Sequence, residues 1–216
     1  MPRISALTEL TTLSDTDYTV VVKDDTSDVT DKMLLSTLKT FVHSRTVAIP
    51  VMAPAIRPQS ATGCAALACI ASGAGQPDMT TLDFDSSAIE YAQFGIAMPS
   101  SWNEGTITAK FYWSHPSTTT NFAAVWGIAA VAVSNNEAMA ASFGTAQTVT
   151  DTGGTTDKLY VSDMTSAMTV AGSPAAGDMV FFRVFRDATA GADNLAVDAR
   201  LHGVVLFITL DASGDS

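Results

Sequence analysis

The chain has 216 residues, of which 47% are hydrophobic and only 15% are charged, and its formal net charge is −11. Binding to nucleic acids and docking on anionic lipids both depend on Lys and Arg meeting phosphate groups, so this balance argues against nucleic-acid and membrane partners. Average soluble domains carry about 25% charged residues, and a chain this poor in charge is predicted to hide surface in a homo-oligomer.

No segment of the sequence has the character of a membrane span or a signal peptide. The longest apolar run, Phe122–Val133, is well short of the about 20 residues that a helix needs to cross a bilayer. The N-terminus lacks the continuous apolar stretch of a signal peptide, which predicts synthesis in a cytoplasm. Cys64 and Cys69 do not match a zinc-binding spacing and are predicted to be reduced thiols that fill small apolar spaces.

Residues 1–48 have the pattern of a small N-terminal module made of one strand and one helix. Tyr18–Lys23 has strand character, and Asp24–Asp28 is a charged turn. Thr30 is a candidate N-cap residue of the helix that follows. The apolar stripe of this helix consists of Leu34, Leu38, Phe41 and Val42. A segment of about 40 residues rarely buries enough apolar surface to fold alone, so the stripe is predicted to dock on another surface.

Residues 49–216 have the pattern of an all-β body. The stretch His43–Arg57 is interpreted as a linker because Pro50 and Pro54 interrupt it. Beyond it, short apolar or alternating runs are separated by Gly, Pro, Asn and Asp. The predicted strands are Met79–Asp85, Ile89–Met98, Thr106–Ser114, Ala123–Val133, Ala146–Thr150, Leu159–Ser162, Met168–Ala171, Met179–Arg186 and Leu201–Leu210. One short helical insert is predicted at Asn136–Ser142.

Two of these strands carry most of the information about the core. Thr106–Ser114 alternates between apolar and polar residues, which predicts one buried face. The residues of that face are Ile107, Ala109, Phe111 and Trp113. Ala123–Val133 is apolar on both faces, which predicts a central strand. With no alternation of strands and helices, the predicted fold is mainly β: an antiparallel, jelly-roll-like β-sandwich preceded by the strand-plus-helix module.

Two parts of the chain resemble bacteriophage proteins. The N-terminal segment is similar to the anchoring segment of phage tail-fibre and other virion appendage proteins, through Ile4, Leu7, Leu13, Asp17, Val20, Val21, Val22, Thr30, Lys32 and Leu38. The body resembles β-sandwich proteins found in phage genomes, through Tyr91, Gln93, Phe94, Met98, Pro99, Trp102, Glu104, Gly105, Thr106, Phe111, Trp113, Trp126 and Gly127, and again from Arg186 to Leu201.

The resemblance implies a non-enzymatic structural protein of a phage virion, made in the host cytoplasm. It would be a component of a fibre or spike, attached to other virion proteins through its N-terminal module. Such appendages are usually homotrimers, so a trimer is expected. This expectation rests on analogy with the family. A capsid decoration or cement protein with the same architecture is the first alternative.

The second alternative is a carbohydrate-binding receptor module that recognises a glycan on the host surface. Aromatic rings stack on sugar rings, and the aromatic residues considered for this role are Trp102, Tyr112, Trp113 and Trp126. Trp113 shares the apolar face of its strand with Phe111 and is predicted to lie in the core. Trp102, in a loop after Pro99, is therefore the predicted sugar-stacking residue.

The sequence contains no recognisable catalytic, metal or cofactor motif. The three histidines, His43, His115 and His202, lie in no local pattern with Ser and Asp. Asp83 and Asp85 share one face of a predicted strand, but a solvated strand end explains them better than glycoside hydrolysis. We therefore expect no catalytic activity, no cofactor and no metal ion.

The C-terminal part of the body contains a group of arginines and aspartates. Arg183 lies inside an otherwise apolar strand, where an arginine without a carboxylate partner is rare. The sequence therefore predicts a structural ion-pair network within the sandwich or across a subunit contact. Its predicted members are Arg183, Arg186, Asp187, Asp193, Asp198 and Arg200.

Overall fold

A computed structural model describes residues 18–22, 30–34, 45–117 and 122–211. These residues contain thirteen β-strands and one 3-10 turn (Ala53–Ala55). The strands are β1 (Tyr18–Val22), β2 (Thr30–Leu34), β3 (Arg45–Met52), β4 (Arg57–Pro58), β5 (Ala68–Ile70), β6 (Met79–Phe84), β7 (Ile89–Ala97), β8 (Thr108–Ser114), β9 (Ala123–Val133), β10 (Gln147–Thr152), β11 (Tyr160–Val161), β12 (Met179–Asp187) and β13 (Ala199–Leu210). None of the described residues forms a helix that is long and apolar enough to cross a membrane.

Two antiparallel sheets form the body. The first has five strands in the order β10-β9-β12-β7-β4. The second has six strands, in which β11-β8-β13-β6-β5 form a path and β3 also pairs with β13. β13 pairs with β8 along one edge, and with β6 and then β3 along the other. The predicted antiparallel β-sandwich is confirmed.

The core lies between the two sheets and is centred on aromatic rings. Trp126 of β9 packs edge-on against Phe84 of β6, with ring centroids 5.3 Å apart, and stacks on Phe111 of β8 at 5.6 Å. The predicted buried face of β8 is confirmed, because Ala109, Phe111 and Trp113 have no exposed surface. The prediction of a central, doubly buried β9 is also confirmed, since ten of its eleven residues are buried.

The predicted helix after Thr30 is wrong in its first turn. Residues Thr30–Leu34 form β2, which pairs antiparallel with β1 from Tyr18↔Leu34 to Val22↔Thr30. The β-branched run of β1 offers a ladder that satisfies the backbone groups of residues 30–34, and this outweighs the local N-cap signal. The strand predicted at Tyr18 is confirmed. Three members of the predicted stripe, Leu38, Phe41 and Val42, lie outside the described residues.

The predicted linker is also wrong, because residues 45–52 form β3. β3 pairs with β13 without interruption from Arg45↔Leu210 to Met52↔Gly203. A proline is tolerated on an outer strand when its missing N–H faces away from the ladder. Pro58 satisfies this condition in β4 on the border of the five-stranded sheet, because the N–H of the next residue, Gln59, donates to the Tyr91 carbonyl of β7. Pro50 lies opposite Val205 in the pairing of β3 with β13. The boundary predicted between residues 48 and 49 stays a prediction.

The helical insert predicted at Asn136–Ser142 is absent. Residues 136–142 form turns and irregular backbone. The Glu137 carboxylate accepts a hydrogen bond from the Ser134 backbone N–H, and the Glu137 N–H donates to the Ser134 carbonyl. This reciprocal pair closes a tight turn directly after β9. The residues that follow therefore do not form the predicted helix.

Candidate functional site

The outer face of the five-stranded sheet carries aromatic and polar side chains that the core does not use. Successive side chains of a strand point to opposite faces, and the even-numbered residues of β7 and β12 point inward, as the stacked rings of Phe94 and Phe182 show. The odd-numbered residues point outward. We call this outward surface the Arg183 face, and its residues are Arg57, Gln59, Tyr91, Gln93, Phe143, Phe181 and Arg183.

Arg183 lies at the centre of this face, between two aromatic rings. Its guanidinium carbon is 4.7 Å from the ring centroid of Tyr91 and 4.8 Å from that of Phe143. Each contact of this kind contributes about 0.5–2 kcal/mol, depending on how far it is removed from water. The Arg183 Nε is buried and has no hydrogen-bond partner among the described residues. No carboxylate among the described residues lies within ion-pair distance of it.

Small residues on the neighbouring strands make room for the rings of the Arg183 face. A Cβ added at Gly127 of β9 would lie 2.2 Å from Phe185 Cζ, so this ring occupies the space that a side chain would take. Phe185 in turn packs against Tyr91, with ring centroids 5.5 Å apart. At Gly95 of β7, a Cβ would lie 3.3 Å from Phe181. The glycines therefore determine where the rings can lie.

Two glutamines supply hydrogen-bonding groups beside Arg183. Gln93 lies opposite Arg183 in the pairing of β7 with β12, and opposite Arg57 in the pairing of β7 with β4. Gln93 Nε2 donates to Gln59 Oε1 over 2.9 Å, and Gln59 Nε2 donates to the carbonyl of Ala61 over 3.2 Å. This arrangement leaves the Gln93 Oε1 as an acceptor, beside rings and a cation that suit a polar ligand with apolar faces.

The outer face of the six-stranded sheet carries a second polar group, next to a β-bulge. The register between β13 and β8 shifts between Leu201 and Gly203, which places an extra residue, His202, on β13. His202 Nε2 lies 2.9 Å from Ser114 Oγ. Burial lowers the pKa of His202 and the nearby Arg200 charge lowers it further, while a hydrogen bond with the Thr80 backbone and the Asp83 charge oppose this shift.

The charged residues of this second group form ion pairs with one another, although the buried Arg200 Nε has no hydrogen-bond partner among the described residues. Arg200 Nη1 donates to Asp157 Oδ1 over 2.8 Å, and its Nε lies 3.7 Å from Asp83 Oδ2. Thr81 Oγ1 donates to Asp83 Oδ1 over 2.9 Å. Ser114 is 1% exposed, so its hydroxyl is closed to a substrate although it contacts a histidine. The arrangement stabilises the bulge and offers no accessible nucleophile.

A third arginine, Arg186, is completely buried and fully paired. It forms two hydrogen bonds with the carboxylate of Asp193, from Nε over 3.0 Å and from Nη2 over 2.8 Å. It also donates to four backbone carbonyls, those of Phe84, Asp85, Leu195 and Val197. Asp193 accepts a further bond from the Val125 N–H. This cluster ties the loop after β12 to both sheets and has no surface for a ligand.

The predicted arginine–aspartate network is therefore divided among separate places. Arg186 pairs with Asp193, whereas Arg200 pairs with Asp157 and Asp83, which were not predicted members. Arg183 has no carboxylate partner among the described residues, so its predicted ion pair is not found within this part of the sandwich, and a pair across a subunit contact stays a prediction. Asp187 accepts from the N–H and hydroxyl of Thr189 in a turn. Burial raises the pKa of Asp198, and the charge of Asp85 raises it further.

Trp102 does not provide the predicted platform for a sugar. It is 3% exposed, and it forms an isolated bridge with Leu210 that holds its loop against the core. Trp113 and Trp126 have no exposed surface. Tyr112 is the only one of the four aromatic residues considered from the sequence that lies outward and half-exposed.

Asp85, which was considered for glycoside hydrolysis, and the nearby Glu90 both accept local hydrogen bonds. Asp85 accepts from the Ser87 N–H and hydroxyl and from the Ala88 N–H, and these bonds lower its pKa. Glu90 accepts from the Asp85 N–H over 2.7 Å, and burial raises the pKa of Glu90. Among the described residues, no three His, Cys, Asp or Glu side chains are grouped to hold a metal ion. The thiols of Cys64 and Cys69 are free; Cys64 is buried and Cys69 is exposed.

Sequence reasoning missed the Arg183 face because its residues come from four separate segments. Tyr91 and Arg183 lie on strands that were predicted, but their diagonal contact depends on the register between β7 and β12. Phe143 follows a segment that was predicted to be helical. The one available signal was Arg183 itself, an arginine at an outward position of an apolar strand, and it was interpreted as half of an ion pair.

The predicted anchoring residues receive no functional support from the described part of the chain. Leu34 ends β2 opposite Tyr18, and the other three lie outside the described residues. A place on a phage virion, in a fibre, spike or decoration protein, stays a prediction, and so does the homotrimer.

No protein-family model and no curated protein matches the chain. Among solved structures, a xylan-binding module of family CBM15 is 14% identical and has a TM-score of 0.44, with 80% of this chain and 100% of that chain covered. A family 11 carbohydrate-binding module from Clostridium thermocellum, in complex with a mixed-linked tetrasaccharide, is 8% identical with a TM-score of 0.32, over 81% and 92% of the two chains. The module TmCBM61, in complex with a galactotriose, is 10% identical with a TM-score of 0.31, over 80% and 92%. Identities and TM-scores this low carry no argument about function.

Proposed function

We propose that this protein is a non-catalytic glycan-binding module and that the Arg183 face is its binding surface. The observation that supports this proposal is the guanidinium of Arg183, which lies between the rings of Tyr91 and Phe143 without a carboxylate partner among the described residues. A structural arginine is normally neutralised by the protein. An outward arginine that lies beside half-exposed rings, with no carboxylate partner among the described residues, is suited to bind a ligand.

The chemistry of the face fits a sugar better than an apolar ligand. Sugar rings present C–H groups that pack on aromatic rings and hydroxyl groups that need both donors and acceptors. The half-exposed rings of Phe143 and Phe181 supply the first. Arg183 and the amide of Gln93 supply the second. Binding without catalysis is part of the proposal, because no accessible nucleophile or general base faces this surface among the described residues.

Affinity electrophoresis through gels that contain one polysaccharide each tests the proposal. The panel would include neutral polymers (xylan, galactan, hydroxyethylcellulose) and acidic polymers (polygalacturonate, alginate). We expect retardation in at least one gel, and its loss in Phe181→Ala, which removes an outward ring and leaves the core intact. Phe207→Ala is the matched control, because Phe207 is a half-exposed phenylalanine on the outer face of the other sheet.

Two results would contradict the proposal. One is free migration of the wild-type protein in every gel. The other is retardation that Phe207→Ala removes and Phe181→Ala preserves, which would place the binding surface on the six-stranded sheet. Thermal unfolding of each variant shows that a loss of retardation is not a loss of folding.

A further inference from the structure

Three residues lie in one row across neighbouring strands of the Arg183 face. The register pairs Arg57 of β4 with Gln93 of β7, and Gln93 with Arg183 of β12. All three side chains point outward. With one strand between them, the Cα atoms of the two arginines are about 10 Å apart. A group bound above Gln93 is therefore within reach of both guanidinium groups.

The two arginines have no anionic partner among the described residues. None of the ion pairs between described residues includes Arg57 or Arg183. Asp187, the outward carboxylate of β12, is occupied by Thr189. On β10, Asp151 points inward and accepts a bond from Trp113 Nε1 over 2.6 Å. The row is thus a local concentration of positive charge in a chain whose net charge is −11.

The contacts of Arg183 with the rings of Tyr91 and Phe143 limit how a ligand can approach it. The guanidinium carbon lies over both rings, 4.7 Å from the centroid of Tyr91 and 4.8 Å from that of Phe143. Its Nε is buried without a hydrogen-bond partner among the described residues, whereas its two Nη atoms are not among the buried, unpartnered atoms of that part of the chain. We therefore expect a ligand to meet the guanidinium at its Nη end, away from the buried Nε. A planar carboxylate with two oxygens fits this approach.

We infer that the Arg183 face selects acidic glycans, and that a uronic-acid carboxylate binds over Gln93 between Arg57 and Arg183. This inference rests on the proposed function and adds the class of sugar. Hydroxyl groups of the same sugar are placed to donate to Gln93 Oε1, while its C–H face packs on Phe181 or Phe143. Neutral glycans lack the group that the two arginines would hold.

A pair of polymers that differ only in charge tests the inference directly. Polygalacturonate carries a carboxylate on each sugar, and its fully methyl-esterified form has the same backbone without those charges. We expect the protein to bind polygalacturonate at least about tenfold more tightly than the ester, since a hydrogen bond to a charged group is among the stronger ones. Raising the salt concentration should weaken this binding, because exposed charges are screened over about 8 Å at physiological ionic strength. Alginate serves as a second acidic probe.

Variants of the row identify the residues responsible. Arg183→Met keeps an apolar side chain between the rings and should lose about tenfold to hundredfold in affinity for polygalacturonate. Arg183→Lys, which keeps the charge without the planar fork, should lose less. Arg57→Gln should lose affinity as well. Arg45→Gln is the matched control, because Arg45 is an exposed arginine on β3 of the other sheet, and it should bind as the wild type does.

The outcomes separate this inference from the proposal on which it rests. Binding to neutral polymers alone, or equal binding to polygalacturonate and its ester, would overturn the acidic class and leave glycan binding in place. Equal losses in Arg45→Gln and Arg183→Met would also overturn it, because the effect would then be one of net charge. Failure to bind any polymer, including alginate, would refute both.

Discussion

Arg183 and Arg200 lie on the outer faces of two central strands, one in each sheet, and they differ in what surrounds the guanidinium. Arg200 contacts the carboxylates of Asp157 and Asp83. Arg183 contacts the rings of Tyr91 and Phe143. The charge of Arg200 on the six-stranded sheet is therefore neutralised by carboxylates of the same chain. Arg183 on the five-stranded sheet contacts aromatic rings and has no carboxylate partner among the described residues. An aromatic stack fixes the position of a cation and leaves its hydrogen-bonding end available, which a salt bridge does not.

The largest expected effect on stability concerns the buried arginine, Arg186. Asp193→Ala should lower the free energy of unfolding by about 3–5 kcal/mol, because it leaves the charge of Arg186 buried and uncompensated. Denaturant unfolding followed by tryptophan fluorescence measures this loss. The double variant Arg186→Met with Asp193→Leu should recover a large part of it. A loss below about 1 kcal/mol in Asp193→Ala would mean that the four carbonyl acceptors alone hold Arg186.

The second largest expected effect on stability concerns Gly127, which leaves room for the Phe185 ring beside Tyr91. Gly127→Ala should cost about 1–3 kcal/mol, because its Cβ would enter the space of the Phe185 ring. Gly95→Ala is the matched control: its Cβ would meet Phe181 at 3.3 Å, and this half-exposed ring can shift, so we expect a smaller loss. Equal losses in the two variants would show that the cost comes from the strand backbone.

The salt-bridged arginine should matter less for stability. Arg200→Gln removes ion pairs that are partly exposed to solvent, and such pairs contribute about 0–1 kcal/mol. We expect a loss within this range that shrinks as salt is added, measured by denaturant unfolding at low and high ionic strength. A loss of several kcal/mol would mean that the β-bulge of β13 depends on Arg200.

The smallest expected effect is a pH dependence at His202. Its pKa in the folded protein lies below the ordinary value of 6.5, so the unfolded chain takes up this proton more readily. The neutral histidine therefore contributes fully above pH 6.5, and its contribution is lost as the pH falls through the folded pKa. Wild type should lose more stability on acidification than His202→Gln, in thermal unfolding over a pH series. Parallel profiles for the two proteins would contradict the lowered pKa.

The local sequence pattern was sufficient to predict strands in which apolar and polar residues alternate, and strands that consist of one long apolar run. β8 and β9 were predicted with their burial because a period of two, or an unbroken apolar run, reflects packing directly. β3 could not be found in this way, because Pro50 and Pro54 act as breakers unless the strand is known to lie on a border. Thr30 was misassigned for a related reason: a cap signal is local, and the strand that competes with it depends on β1.

The candidate site depends on the register between strands, which the pattern of any single segment does not reveal. Tyr91, Gln93 and Arg183 meet because β7 and β12 pair in one particular alignment, and a shift of one residue would turn each of them into the core. Phe143 lies in a segment without regular secondary structure. Trp102 was misplaced because a loop after a proline is usually exposed, whereas this loop folds back on Leu210.

Pro50 and Pro58 have a consequence for how copies of this protein can meet. Each lies on a strand that pairs with one neighbour only among the described residues, β3 with β13 and β4 with β7. An incoming strand from another molecule pairs through a ladder of backbone hydrogen bonds, and a proline has no N–H to donate to such a ladder. Growth of either sheet across molecules, the first step towards fibrils, is therefore disfavoured on these two borders.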